Sequence, residues 1–92
     1  MKRIDYDHWF IKNNELTISL MRFYIKINIL KNEDRVFYRL SVFEDNIEKL
    51  VFNFYNFEEA ISFTENEISK CNTCNEILEI YKNYFEKKRL IR

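Results

Sequence analysis

The 92-residue sequence contains no glycine and no proline, where average usage would supply about eleven of the two together. Backbone amides cannot crowd around a phosphate without glycine. A P-loop, a dinucleotide-binding turn and a nucleophile elbow are therefore excluded. Any turn needing a positive φ must use asparagine or aspartate, which tolerate the left-handed region best among the remaining residues. Asn13-Asn14, Asn32 to Asp34, Asp45-Asn46 and Asn72 are the candidates. Ala60 is the only alanine, while Ile, Lys, Asn, Phe and Tyr are abundant. AT-rich codons favour that set, which points to a low-GC bacterium or to a phage or plasmid living in one.

Metal and acid–base chemistry are equally short of material. His8 is the single histidine, and the only cysteines are Cys71 and Cys74. Zinc needs four ligands, so one C-x-x-C plus His8 falls short unless two chains share a site. A thioredoxin-type motif needs a βαβ setting, which this order of elements lacks. The cysteines read as small residues in a turn between helices, with Cys74 near enough to a helix start for some acidification of its thiol. His8 has Asp5 and Asp7 nearby but no nucleophile to serve. No catalytic residue, metal or other cofactor is expected, and the chain reads as non-enzymatic. The basic start, Met1 to Asp5, is followed by no long apolar run. Neither a signal peptide nor a membrane span is expected, and two cysteines in that setting suggest the cytoplasm.

What is present is a core. Hydrophobic residues make up 47% of the chain, including nine Phe, six Tyr and one Trp. That is enough to fold one α+β domain over residues 1–92 without disulfides. Residues 4–12 predict a short helix with Trp9 docked on the core, broken by Asn13-Asn14. From Leu16 to Leu30 apolar and polar residues alternate, and the phase flips after Met21, so a bulge or bend near Leu20 to Arg22 is expected. A returning strand over 35–43 puts Val36, Tyr38, Leu40 and Val42 on one face. Arg35, Phe37, Arg39, Ser41 and Phe43 fall on the other. A third strand over 48–55 follows the Glu44-Asp45-Asn46 turn, which completes a three-stranded antiparallel meander.

Two helices should close the chain as a pair packed on the sheet. Asn56 with Glu59 is a capping-box-like start, although the standard box uses Ser or Thr, and Thr73 with Glu76 is a capping box. Phe57, Ala60, Ile61, Thr64 and Ile68 form one apolar stripe. Ile77, Leu78, Tyr81, Tyr84 and Phe85 form the next.

The formal charge sums to zero but is segregated. Residues 1–43 hold eight Lys/Arg and five Asp/Glu, residues 44–81 hold two and nine, and residues 82–92 hold five and one. The acidic middle suits a basic partner. Phe37 and Phe43 share a face with Arg35 and Arg39, and need a cover from the 4–12 segment, a second copy or a foreign protein.

The meander from Phe23 to Phe54 and the acidic helical stretch from Asn56 to Ile80 together resemble the short anti-CRISPR inhibitors of Cas9-type effectors. That resemblance implies a host nuclease as partner and occlusion of a basic surface as mechanism. Glu44, Asp45, Glu48, Glu58, Glu59, Glu65 and Glu67 would steer the encounter, with Phe37 and Phe43 as anchors. Neutral overall charge and the basic Lys87 to Arg92 end favour local mimicry by residues 44–79. An alternative is a nucleic-acid-binding regulator using the 35–43 strand and the basic tail. An antitoxin or immunity protein is another. Monomer and homodimer both remain open.

Overall fold

A computed structural model describes residues 9–90, the side chains of 85–90 excepted. Five strands are present where three were expected: β1 (Phe10–Lys12), β2 (Glu15–Ser19), β3 (Tyr24–Asn32), β4 (Arg35–Glu44) and β5 (Ile47–Phe54). They form one antiparallel sheet in sequence order, each strand beside the next.

Two sequence expectations are corrected here. The short N-terminal helix is overturned over its described part. Phe10–Lys12 is a strand that pairs with β2 from Phe10↔Thr17 to Lys12↔Glu15. A three-residue apolar run has no periodicity of its own, so the neighbouring strand decides its state. Residues 4–8 lie outside the described residues. The single strand expected over 16–30 is also overturned: the bend expected near Leu20 to Arg22 is there, but as the turn of a hairpin between β2 and β3. The Leu20 N–H donates to the Phe23 carbonyl at 2.7 Å, and Met21 projects fully into solvent. This turn holds no Gly, Asn or Asp, so the usual turn chemistry does not mark it. A bulge does occur, at Lys49, where the β4–β5 register steps from Val42↔Leu50 to Phe43↔Glu48.

Two of the other three hairpins put asparagine or aspartate at positive φ. Asn13 opens the β1–β2 turn at φ 54°. Asp45 and Asn46 have φ 54° and 65°, the pair of positive values that a type I′ hairpin requires. The β3–β4 turn places Glu33, rather than an Asn or Asp, at φ 58°.

A helical layer covers one sheet face. α1 (Phe57–Ser62) is capped by Asn56, whose side chain accepts the Glu59 N–H at 3.0 Å. The path then widens into a π turn (Phe63–Glu67) and tightens into a 3-10 turn (Ile68–Lys70). The wider turn brings Phe63 into the core beside the expected Ala60, Ile61, Thr64 and Ile68. α2 (Cys74–Leu90) starts at the expected capping box. The Thr73 hydroxyl accepts the Glu76 N–H at 3.2 Å, and the Glu76 carboxylate accepts the Thr73 N–H at 3.1 Å.

Ile25, Ile27, Leu40 and Val42 of the sheet are fully buried against Ile61, Ile68 and Ile77 of the helical layer. Each such side chain contributes about 1.5–3 kcal/mol relative to exposure. Aromatic rings fill the β5 side of this core. Phe52 stacks on Tyr81 at 4.0 Å, and Phe63 meets Phe54 at 5.5 Å. Trp9 closes the opposite side. It is buried, and its indole N–H donates to the Glu65 carboxylate at 2.9 Å.

Candidate functional site

The sheet face opposite the helices is uncovered among the described residues. Alternation puts every second residue of each strand there. Register then aligns Tyr24 with Phe43, Lys26 with Ser41, and Arg39 with Asn53. Phe37 and Phe43 both fall on this face, half-buried rather than freely exposed. Each belongs to a small aromatic group carrying a cation. Phe43 meets Tyr24 at 6.0 Å, with the Lys26 ammonium 5.5 Å from the Phe43 centroid. Phe37 meets Tyr55 at 6.4 Å, with the Arg35 guanidinium 5.3 Å from the Tyr55 centroid. These are attractive cation–π distances. Tyr24, Lys26 and Tyr55 were missed as site residues. Their signal was parity: Tyr24 and Lys26 alternate with the core residues Ile25 and Ile27.

Two shallow depressions mark the face. Phe37, Arg35, Arg39, Asn53, Tyr55 and the Asn32–Asp34 turn line one of about 730 Å³. Phe10, Thr17, Ile18, Ser19 and Tyr24 line another of about 400 Å³. Between them Ser41 is nearly enclosed by its larger neighbours. Residues 9–12 extend the sheet edge instead of roofing this face.

The acidic residues do not form one surface. Glu44 ends β4 on the helix side, where the Cys74 thiol donates to its carboxylate at 3.8 Å. Asp45 follows in the exposed turn. Glu67 and Glu76 lie close enough to Cys71 for both to raise its pKa. Glu76 also lines, with Lys70, Cys71, Glu79 and Ile80, a depression of about 340 Å³. Glu48 stands opposite Phe43 on the uncovered face. Glu58 and Glu59 occupy the first turn of α1, at the other end of β5 from the Asp45-Asn46 turn. Glu65 is held by Trp9. Of the seven expected steering residues, Glu44, Asp45 and Glu67 therefore gather at one end and the other four are dispersed.

The cysteines are not acidified. Burial pushes the Cys71 thiol up, and Glu76 and Glu67 add to the effect. Burial also raises Cys74, reinforced by the charge and hydrogen bond of Glu44 and opposed by Lys49. Burial first, and then the carboxylates near each thiol, two at Cys71 and one at Cys74, outweigh the nearby helix start. Among the described residues no three His, Cys, Asp or Glu side chains are grouped to hold a metal ion. His8 and the side chains of the basic tail lie outside the described residues.

No family model matches the sequence, and no curated protein or solved structure matches it. No described helix is long and apolar enough to cross a membrane.

Proposed function

We propose that this chain is a non-enzymatic binding protein that inhibits a host nuclease, of the CRISPR-effector kind, by covering a basic surface on it. One observation supports this reading. Acidic groups from three separate segments meet where the Asp45-Asn46 turn approaches the start of α2. Glu44 and Asp45 come from the end of β4, Glu67 from the π turn, and Glu76 and Glu79 from α2, with Lys49 and Lys70 as the local counter-charges. Ile47, 57% exposed and paired with Glu44, offers an apolar anchor beside them. A compact acidic end raises the encounter rate with a basic surface, and a buried apolar contact slows release.

The test is a tagged pull-down from host lysate after nuclease treatment, followed by binding of the purified partner to a charge variant. Asp45→Asn, Glu67→Gln and Glu79→Lys alter three acidic positions at this end. Together they should weaken binding more than tenfold, whereas Glu58→Lys at the far end should leave it unchanged. Unaltered binding by the triple variant would remove the acidic end from the mechanism.

A further inference from the structure

We infer that the uncovered sheet face is a docking surface for single-stranded nucleic acid. The inference goes beyond the inhibitor reading and uses different residues. Two aromatic pairs, Tyr24–Phe43 and Phe37–Tyr55, stand on this face. Phe37 and Phe43 lie six residues apart on β4, which a strand rise spans as about 20 Å. Each pair lies beside a depression, so the face offers two places for a flat ring to settle against an aromatic wall. Every nucleobase has a π-face, and stacking of this kind tolerates any sequence.

Charge selects the same occupant. The outward residues of the five strands include Lys12, Lys26, Arg35 and Arg39 against Glu15 and Glu48. Along β4 the order is Arg35, Phe37, Arg39, Ser41, Phe43, with cation and ring interleaved. Phosphates would meet Arg39, Lys26 and Arg35, while bases occupy the depressions between them. Asn53 places a side-chain amide, donor and acceptor together, in the larger depression, within reach of a base edge. Glu33 and Asp34 close that depression at the β3–β4 turn and repel phosphate, which sets one end of the track. A duplex presents no free base faces, so it cannot use the rings.

The experiment is fluorescence anisotropy of a labelled oligothymidylate titrated with the full chain. Saturable binding that weakens with added salt is expected, with duplex of the same length bound at least tenfold more weakly. Tyr55→Ala and Phe37→Ala should each lower affinity about tenfold. Arg39→Gln, at an exposed position, should reduce the slope of log affinity against log salt by about one. Circular dichroism and Trp9 emission establish that each variant is folded. Absence of oligonucleotide binding, equal binding of duplex, or wild-type affinity in both Tyr55→Ala and Arg39→Gln would overturn the inference. So would a homodimer that Tyr55→Ala dissociates, because a second copy would then occupy the face. Glu79→Lys, chosen for the acidic end, should leave oligonucleotide binding unreduced, so failure of one reading is separable from failure of the other.

Discussion

Glu33 sits at φ 58°, in the left-handed region, without the side chain that usually excuses it. Steric crowding there costs a non-glycine residue about 1–2 kcal/mol. Glycine removes that strain but loses about 0.5–1 kcal/mol more chain entropy on folding. Glu33→Gly should therefore stabilise the domain by about 0.5–1 kcal/mol, measured as a higher urea midpoint at unchanged slope. A lower midpoint would mean that the glutamate side chain makes a compensating contact. The positive φ values at Asn13, Asp45 and Asn46 were legible in the sequence because these residue types fit the region. Glu33 was not, because its conformation is imposed by the two strands that the turn must join.

At the scale of elements, the capping boxes were the clearest written signals, since the bonds they make span only three residues. Thr73→Ala removes the hydroxyl that accepts the Glu76 N–H and should cost about 1 kcal/mol, read from urea unfolding. No measurable loss would show that water caps α2 equally well. The strands were less legible. Alternation correctly assigned the core faces of β3, β4 and β5, because one-sided burial imposes a period of two. It failed for β1, whose three residues carry no period, and at Leu20–Phe23 it marked a bend without showing that ordinary side chains reverse the chain there. The π turn was invisible as well. It follows from packing Phe63 against Phe54 and Tyr81, contacts that no local pattern encodes.

For the whole molecule, Trp9 joins the first-strand side of the domain to the helical layer through Glu65, 56 residues away. Trp9→Ala should destabilise the domain by about 3–5 kcal/mol, by loss of packing and creation of a cavity. A 92-residue domain has about 5–14 kcal/mol in all, so this variant should show a sharply lowered thermal midpoint. Trp9→Phe should retain much of the packing and lose the indole donor, placing its midpoint between the two. If Trp9→Ala melts with the wild type, the contact with Glu65 contributes nothing to the closed domain.

The sequence by itself determined the α+β class, the apolar faces of the longer elements, the starts of α1 and α2 and three of the turn sites. Each depends on residue type, short-range hydrogen bonding or a period that a single segment carries. Only the tertiary structure decided the strand count and the place of each charge. Whether Phe10–Lys12 is a strand depends on β2 being alongside. Whether Glu44 stands near Glu67 and Glu76, and Glu58 does not, depends on the path of the chain across the sheet. The same path separates Phe37 on the uncovered face from the acidic end that was expected to act with it. Charge and aromatic content are properties of composition, whereas a surface is a set of neighbours, and long-range packing chooses the neighbours.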